Sequence, residues 1–293
     1  MANEQLPTDS NDLSRRQFVT LSVAAGLAAA AATKTGAQAK VVETDVEVKT
    51  QDGTCDAALI HPAGGTYPGV IIWPDAFGLR PAMRDMAKRL AADGYTVLVP
   101  NPYYRVTKAP GVKMEGFSFQ NADSMAELRK LMGGISAAGA AERDAAAYVA
   151  FLDSQASVNK SRKIGVQGYC MGGPLTFRTA AAVPERIGAG ASFHGGGLVT
   201  QAPDSPHRMI PKMKARFYVA VAANDDQRQP DAKDVLKQAF ADAEVPADVE
   251  VYSSLHGWCV PDMPAEQGKP IYNKPDAEKA WATLIALYKQ ALA

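Results

Sequence analysis

The chain has 293 residues, 47% of them hydrophobic and 21% charged, enough for one α/β domain with a sizeable buried core. Lys plus Arg and Asp plus Glu each total 31, so the formal net charge is zero, and no basic run with interleaved aromatics occurs. The electrostatic footprint of a nucleic-acid binder is therefore excluded, and a small-molecule substrate is the expected partner.

In chain order, Ser14-Arg15-Arg16-Gln17-Phe18-Val19 sets two arginines ahead of a charge-free, alanine-rich stretch from Val19 to Ala32. The stretch is shorter than the roughly 20 residues of a membrane span. Ala37-Gln38-Ala39 then supplies a small-x-small cleavage pattern. Residues 1–39 thus resemble a twin-arginine-type export signal, with a mature domain, 40–293, beginning at Lys40. The expectation is a periplasmic or secreted protein that engages the twin-arginine export machinery and keeps no stable membrane association after cleavage. Three cysteines, Cys55, Cys170 and Cys259, leave at least one thiol unpaired in such a compartment, and a Cys55–Cys259 disulfide stays open.

Val41 to Lys49 alternates apolar and polar residues as a half-exposed strand does; Asp52-Gly53 turns it, and Cys55 to His61 reads as its hairpin partner. Pro68 to Trp73 is a continuous apolar run that suits a strand buried on both faces. An amphipathic helix over Arg80 to Asp93 stops at Gly94, and Tyr95 to Val99 is a second buried strand. A loop rich in Pro, Gly and aromatics, Asn101 to Phe119, is long enough to be functional. Ala126 to Met132 reads as a short helix and Ala140 to Ser154 as a longer one, with Gly133-Gly134 and Gly139 marking the break. Strands follow at Lys163 to Gln167, Ala189 to Phe193, Arg216 to Val221 and Ala247 to Tyr252. Helices follow at Pro174 to Ala182, Asp231 to Ala243 and Asp276 to Ala291. Alternating strands and helices predict one doubly wound, mostly parallel sheet flanked by helices.

Within it, Gly168-Tyr169-Cys170-Met171-Gly172-Gly173 sits between a strand and a helix and matches the nucleophile-elbow pattern G-x-[SC]-x-G. Cys170 is the candidate nucleophile. A base must come within hydrogen-bond reach, and the four histidines are His61, His194, His207 and His256. Chain order on such a sheet favours His256, just after the last strand, while His194 follows an inner strand and lines the cleft. Asp225 and Asp226, at the end of the preceding strand, are the candidate orienting acids. No paired His or Cys spacing suits a metal, and no cofactor is expected.

The elbow, the Asp226-x-x-x-Pro230 spacing, His256-Gly257-Trp258 and the Trp281 helix, with Phe77-Gly78-Leu79 and Val99-Pro100-Asn101 upstream, together resemble the dienelactone hydrolase family. The resemblance spans almost the whole mature chain. It implies an α/β-hydrolase fold and a Cys-His-Asp triad that opens lactone or ester bonds through an acyl-thioester. Carried over, Cys170 is nucleophile, His256 base and Asp226 the favoured acid, with Asp225 the alternative. The oxyanion hole falls on the N–H groups of Met171 and Ala76. Asp75 takes the place of a glutamate that meets the resting thiol, and Arg105 that of an arginine that binds substrate carboxylate. His194 and Trp258 complete the expected substrate-binding set. A second family arginine is replaced by Val260, which weakens the case for dienelactone itself. The rival from another class is a non-catalytic binding or thiol-sensing protein on the same fold.

Overall fold

The computed structural model describes residue 1, residues 40–265 and residues 268–293; the expected export signal lies outside the described residues. Ala39–Ala293 forms one compact unit. Its strands are β1 (Val41–Thr50), β2 (Gly53–Pro62), β3 (Gly69–Trp73), β4 (Thr96–Pro100), β5 (Ile164–Tyr169), β6 (Ile187–Phe193), β7 (Arg216–Val221) and β8 (Ala247–Val251). They form an eight-stranded sheet in the order β1-β2-β4-β3-β5-β6-β7-β8. The β1–β2 hairpin and the β2–β4 contact are antiparallel, and every pairing from β4 to β8 is parallel.

The continuous apolar runs are buried on both faces, as the composition of parallel strands requires. In β3, Ile71 and Trp73 join one core cluster while Val70 and Ile72 join the other. The first cluster is covered by α2 (Ala122–Ser136), α3 (Ala140–Ser154), α4 (Gly172–Ala182) and α6 (Ala232–Asp242), and the second by α1 (Pro81–Ala92) and α7 (Lys274–Ala291). Cys55 and Cys259 are free and belong to these opposite clusters, so the possible disulfide is absent. Burial pushes the Cys55 thiol up to about 12, and Tyr148 donates a hydrogen bond to it at 3.2 Å.

Two elements differ from expectation. Helix α2 starts earlier, where the Asn121 side chain caps it by accepting from the Asp123 and Ser124 N–H groups, and continues through Gly133-Gly134 to Ser136. Gly134 also has a packing reason: an added Cβ would stand 3.2 Å from the Arg105 side chain. The break falls instead at Gly139, whose φ is 72°. The second difference is α5 (Ala223–Arg228), a short helix after β7 that carries both candidate acids, which the reading above places at the end of the strand.

The sheet order reverses around β3: the chain passes from β3 to β4 on one side and later places β5 on the other. Such a switch point opens a crevice beyond the carboxyl ends of the two strands. Ala76 follows β3 and Cys170 follows β5.

Candidate active site

Cys170 adopts a left-handed backbone with φ of 52°, a conformation that costs a non-glycine residue on the order of 1–3 kcal/mol. The turn is tight because helix α4 starts directly over the strand. A Cβ on Gly168 would lie 2.1 Å from the Gly172 carbonyl oxygen, and one on Gly172 would lie 2.3 Å from that of Trp73. Only residues without a side chain fit there. The Cys170 N–H donates to the Phe193 carbonyl at 3.0 Å and its own carbonyl accepts from Gly173 at 3.0 Å, so neighbouring strand and helix both hold the strained residue.

The candidate base, His256, is held by α5. His256 Nδ1 is 2.6 Å from Asp225 Oδ2, and the His256 backbone N–H donates to Asn224 Oδ1 at 2.8 Å. Burial disfavours the charged imidazolium, but hydrogen bonds with Asp225 and with Cys170 outweigh it and push His256 up to about 10. With Nδ1 engaged by Asp225, Nε2 is the nitrogen left for the thiol. The favoured acid is thereby corrected: Asp226 faces away and pairs with Lys233 at 2.8 Å. Adjacent residues on a helix point about 100° apart, so only one of the two carboxylates can meet the imidazole.

The two residues expected to form an oxyanion hole lie near each other. Ala76 and Met171 line the same cavity as Cys170, and among the described residues neither N–H is taken up by another backbone or side-chain acceptor. Tyr103, buried in the aromatic-rich loop, ties them. Its hydroxyl donates to the Ala76 carbonyl at 2.7 Å and lies 3.5 Å from Met171 Sδ.

None of the expected substrate-binding residues, Asp75, Arg105, His194 and Trp258, lines the cavity at Cys170. Asp75 is 1% exposed and spends its carboxylate on Arg80, at 2.7 and 2.9 Å, and on the Phe77 N–H at 2.9 Å. Burial raises this carboxyl and Arg80 works against the rise. Arg80 also bonds Asp262 at 2.7 and 2.9 Å, so the loop carrying Ala76 is clamped to the loop beyond His256. Arg105 is engaged by Asp52 and by the fully buried Asp144 of α3, each at 2.6–2.8 Å through its terminal nitrogens, because a buried carboxylate demands a counter-charge. Trp258 is completely buried and stacks on Tyr252 with ring centroids 5.0 Å apart. His194 is 1% exposed, with its ring 4.9 Å from that of His256 and 5.2 Å from that of Trp258. Burial, and then the charge of His256, push His194 well below 6.5, so it stays neutral.

The cavity at Cys170 measures about 510 Å³ and runs along helices α2, α3 and α4. Sequence reasoning missed Arg178, which lines it. Its signal was the helical spacing, since Met171, Leu175 and Arg178 recur on one face of α4. It also missed Arg80, Asn224 and Tyr103, which act through contacts remote in sequence. A second cavity of about 440 Å³, lined by Met86, Tyr272 and Trp281 among others, lies on the α1–α7 side and does not include Cys170. No cluster of three or more metal-ligating side chains occurs among the described residues.

A cysteine on a strained elbow and a histidine held by an aspartate, on a mostly parallel sheet flanked by helices, accord with an α/β-hydrolase fold. The chain belongs to the dienelactone hydrolase family, whose model matches residues 55–292. It is a carboxymethylenebutenolidase-like hydrolase. It is 28% identical over 254 residues to a Synechocystis protein named "Putative carboxymethylenebutenolidase", covering 85% of this chain and 97% of that one. It is 25% identical over 269 residues to the carboxymethylenebutenolidase of Rhodococcus opacus, covering 88% and 96%. Among solved structures, the dienelactone hydrolase-like promiscuous phosphotriesterase P91 from metagenomic libraries shares the fold, with a TM-score of 0.70 at 22% identity over 86% of this chain and 99% of that one.

Proposed function

We propose that the protein hydrolyses small ester or lactone bonds through a Cys170-His256-Asp225 triad and an acyl-thioester intermediate. The observation that carries this reading is the joint geometry of one thiol on a left-handed elbow and an imidazole whose Nδ1 lies 2.6 Å from an aspartate, with that thiol among the groups that push the imidazole up to about 10.

The proton that leaves Cys170 is held on His256, as the imidazolium that Asp225 stabilises, while Cys170 Sγ adds to the substrate carbonyl carbon. The carbonyl oxygen becomes an oxyanion that takes hydrogen bonds from the Ala76 and Met171 N–H groups. As the tetrahedral intermediate collapses, the carbon–oxygen bond to the leaving group breaks and His256 returns the proton to the departing alkoxide. Water then adds to the thioester with His256 as base. The second collapse releases the carboxylic acid and restores the thiol. Asp225 keeps Nδ1 protonated and stabilises the imidazolium in both halves.

A panel of p-nitrophenyl esters and lactones, read against Cys170→Ala, tests the reading. Wild-type turnover should disappear in the variant, and rapid acid quenching should leave an acyl mass on the Cys170 peptide. Undiminished turnover in Cys170→Ala would remove the thiol from the mechanism.

The protein is further proposed to act outside the cytoplasm after twin-arginine export. Arg15-Arg16, the apolar stretch from Val19 to Ala32 and Ala37-Gln38-Ala39 support this. The secreted form should start at Lys40 on N-terminal sequencing, and Arg15→Lys with Arg16→Lys should hold it in the cytoplasm. Export that persists in that double variant would sink the route.

A further inference from the structure

The cavity runs from Cys170 along one face of α4, past Leu175, to Arg178 at its far end, with Met132 and Ile135 of α2 opposite. Arg178 is the one cation among its lining residues, and its terminal nitrogens are already engaged. Nη1 donates to Glu142 Oε1 at 2.7 Å; Nη2 donates to Asp204 Oδ2 at 2.7 Å and to the Asp204 carbonyl at 3.2 Å. Both carboxylates also line the cavity, so this end carries two negative charges against one positive. Glu142 Oε2 is a buried acceptor with no hydrogen-bond partner among the described residues. An anionic group arriving there meets like charge, and it obtains a guanidinium only by breaking two existing ion pairs.

We infer that the acyl pocket is built for neutral, apolar acyl groups and discriminates against substrates whose acyl chain ends in a carboxylate. This rests on the hydrolase reading of Cys170. The discrimination comes from Glu142 and Asp204 holding Arg178, while Met132, Ile135 and Leu175 supply the apolar wall. Arg105, the other arginine considered for a carboxylate, is tied to Asp144 and lies outside the cavity lining.

The test compares kcat/KM for p-nitrophenyl hexanoate and the p-nitrophenyl monoester of adipic acid, which match in chain length and differ in the terminal charge. The wild-type protein should favour the neutral ester by about 10-fold or more. Glu142→Gln with Asp204→Asn should release Arg178 and narrow that ratio by about 10-fold. Adding Arg178→Gln should then cancel the gain. Thermal melts report folding of each variant, and Glu142→Gln alone replaces the pair if it melts below the assay temperature. A wild-type preference for the adipate monoester, or a selective loss of its turnover in Arg178→Gln, would overturn the inference while leaving the hydrolase reading intact, provided hexanoate turnover still needs Cys170. Hexanoate turnover that survives Cys170→Ala would bring down both.

Discussion

His256 and His194 end up with rings 4.9 Å apart at the ends of two strands of the same sheet, yet they behave as opposites. His256 is pushed up to about 10 because Asp225 and Cys170 stabilise its charge against the cost of burial. His194 suffers the same desolvation without a partner among the described residues for either ring nitrogen, and is pushed well below 6.5. Burial alone therefore does not make a histidine a base. The hydrogen bonds around it decide which form is stable, and each buried form is then costly to change.

The sharpest way to break this contrast is to remove each ring. His256→Ala should lower kcat by about 10⁵-fold in a p-nitrophenyl ester assay, the scale seen when a triad base is lost. Asp225→Asn should cost about 10⁴-fold, since the imidazole loses its tautomer and its counter-charge. Asp226→Asn removes only a partly exposed pair with Lys233 and should leave kcat within about threefold. Equal losses in the two aspartate variants would overturn the assignment of Asp225. His194→Phe should also leave kcat within about threefold and hold or raise Tm, because an apolar ring of similar shape replaces two unpartnered nitrogens. A loss on the scale of Asp225→Asn would mean that His194 takes part in proton transfer.

The smallest effect is on stability. The folded value of His256, about 10, lies above its ordinary 6.5, so the folded chain holds a proton that the unfolded chain has released. That stabilisation is fully present below about pH 6.5 and is lost as pH rises through about 10. Melting curves between those limits should show a decline that Asp225→Asn flattens. An identical slope in both proteins would remove the Asp225 contact from the balance. NMR titration of His256 in Cys170→Ala should likewise give a value below that of the wild type, since the contribution of the thiol is gone.

Much of this site was legible along the chain because its signals are local. The elbow needs glycines at fixed offsets around Cys170, and the buried strands announce themselves as Val70-Ile71-Ile72 and Val97-Leu98-Val99. The order nucleophile, acid, base follows from the sequence of parallel strands. The resemblance favoured Asp226 over Asp225, but neighbouring carboxylates look alike along the chain until α5 turns Asp225 toward His256 and Asp226 toward Lys233.

The arginines failed differently. The family resemblance implied that Arg105 meets substrate, but a guanidinium goes to whichever buried carboxylate the fold brings near, and Asp144 lies 39 residues away in the chain. Arg178 and Arg80 gained their places by the same rule, through Glu142 and Asp204 in one case and Asp75 and Asp262 in the other. The sequence by itself determined the sheet, the elbow and the candidate residue types around it, because these depend on periodicity and on backbone conformations available to few residues. Tertiary structure alone decided which charges pair and hence what the pocket can accept, because ion pairing depends on distance in space and on desolvation, neither of which is written in the order of residues.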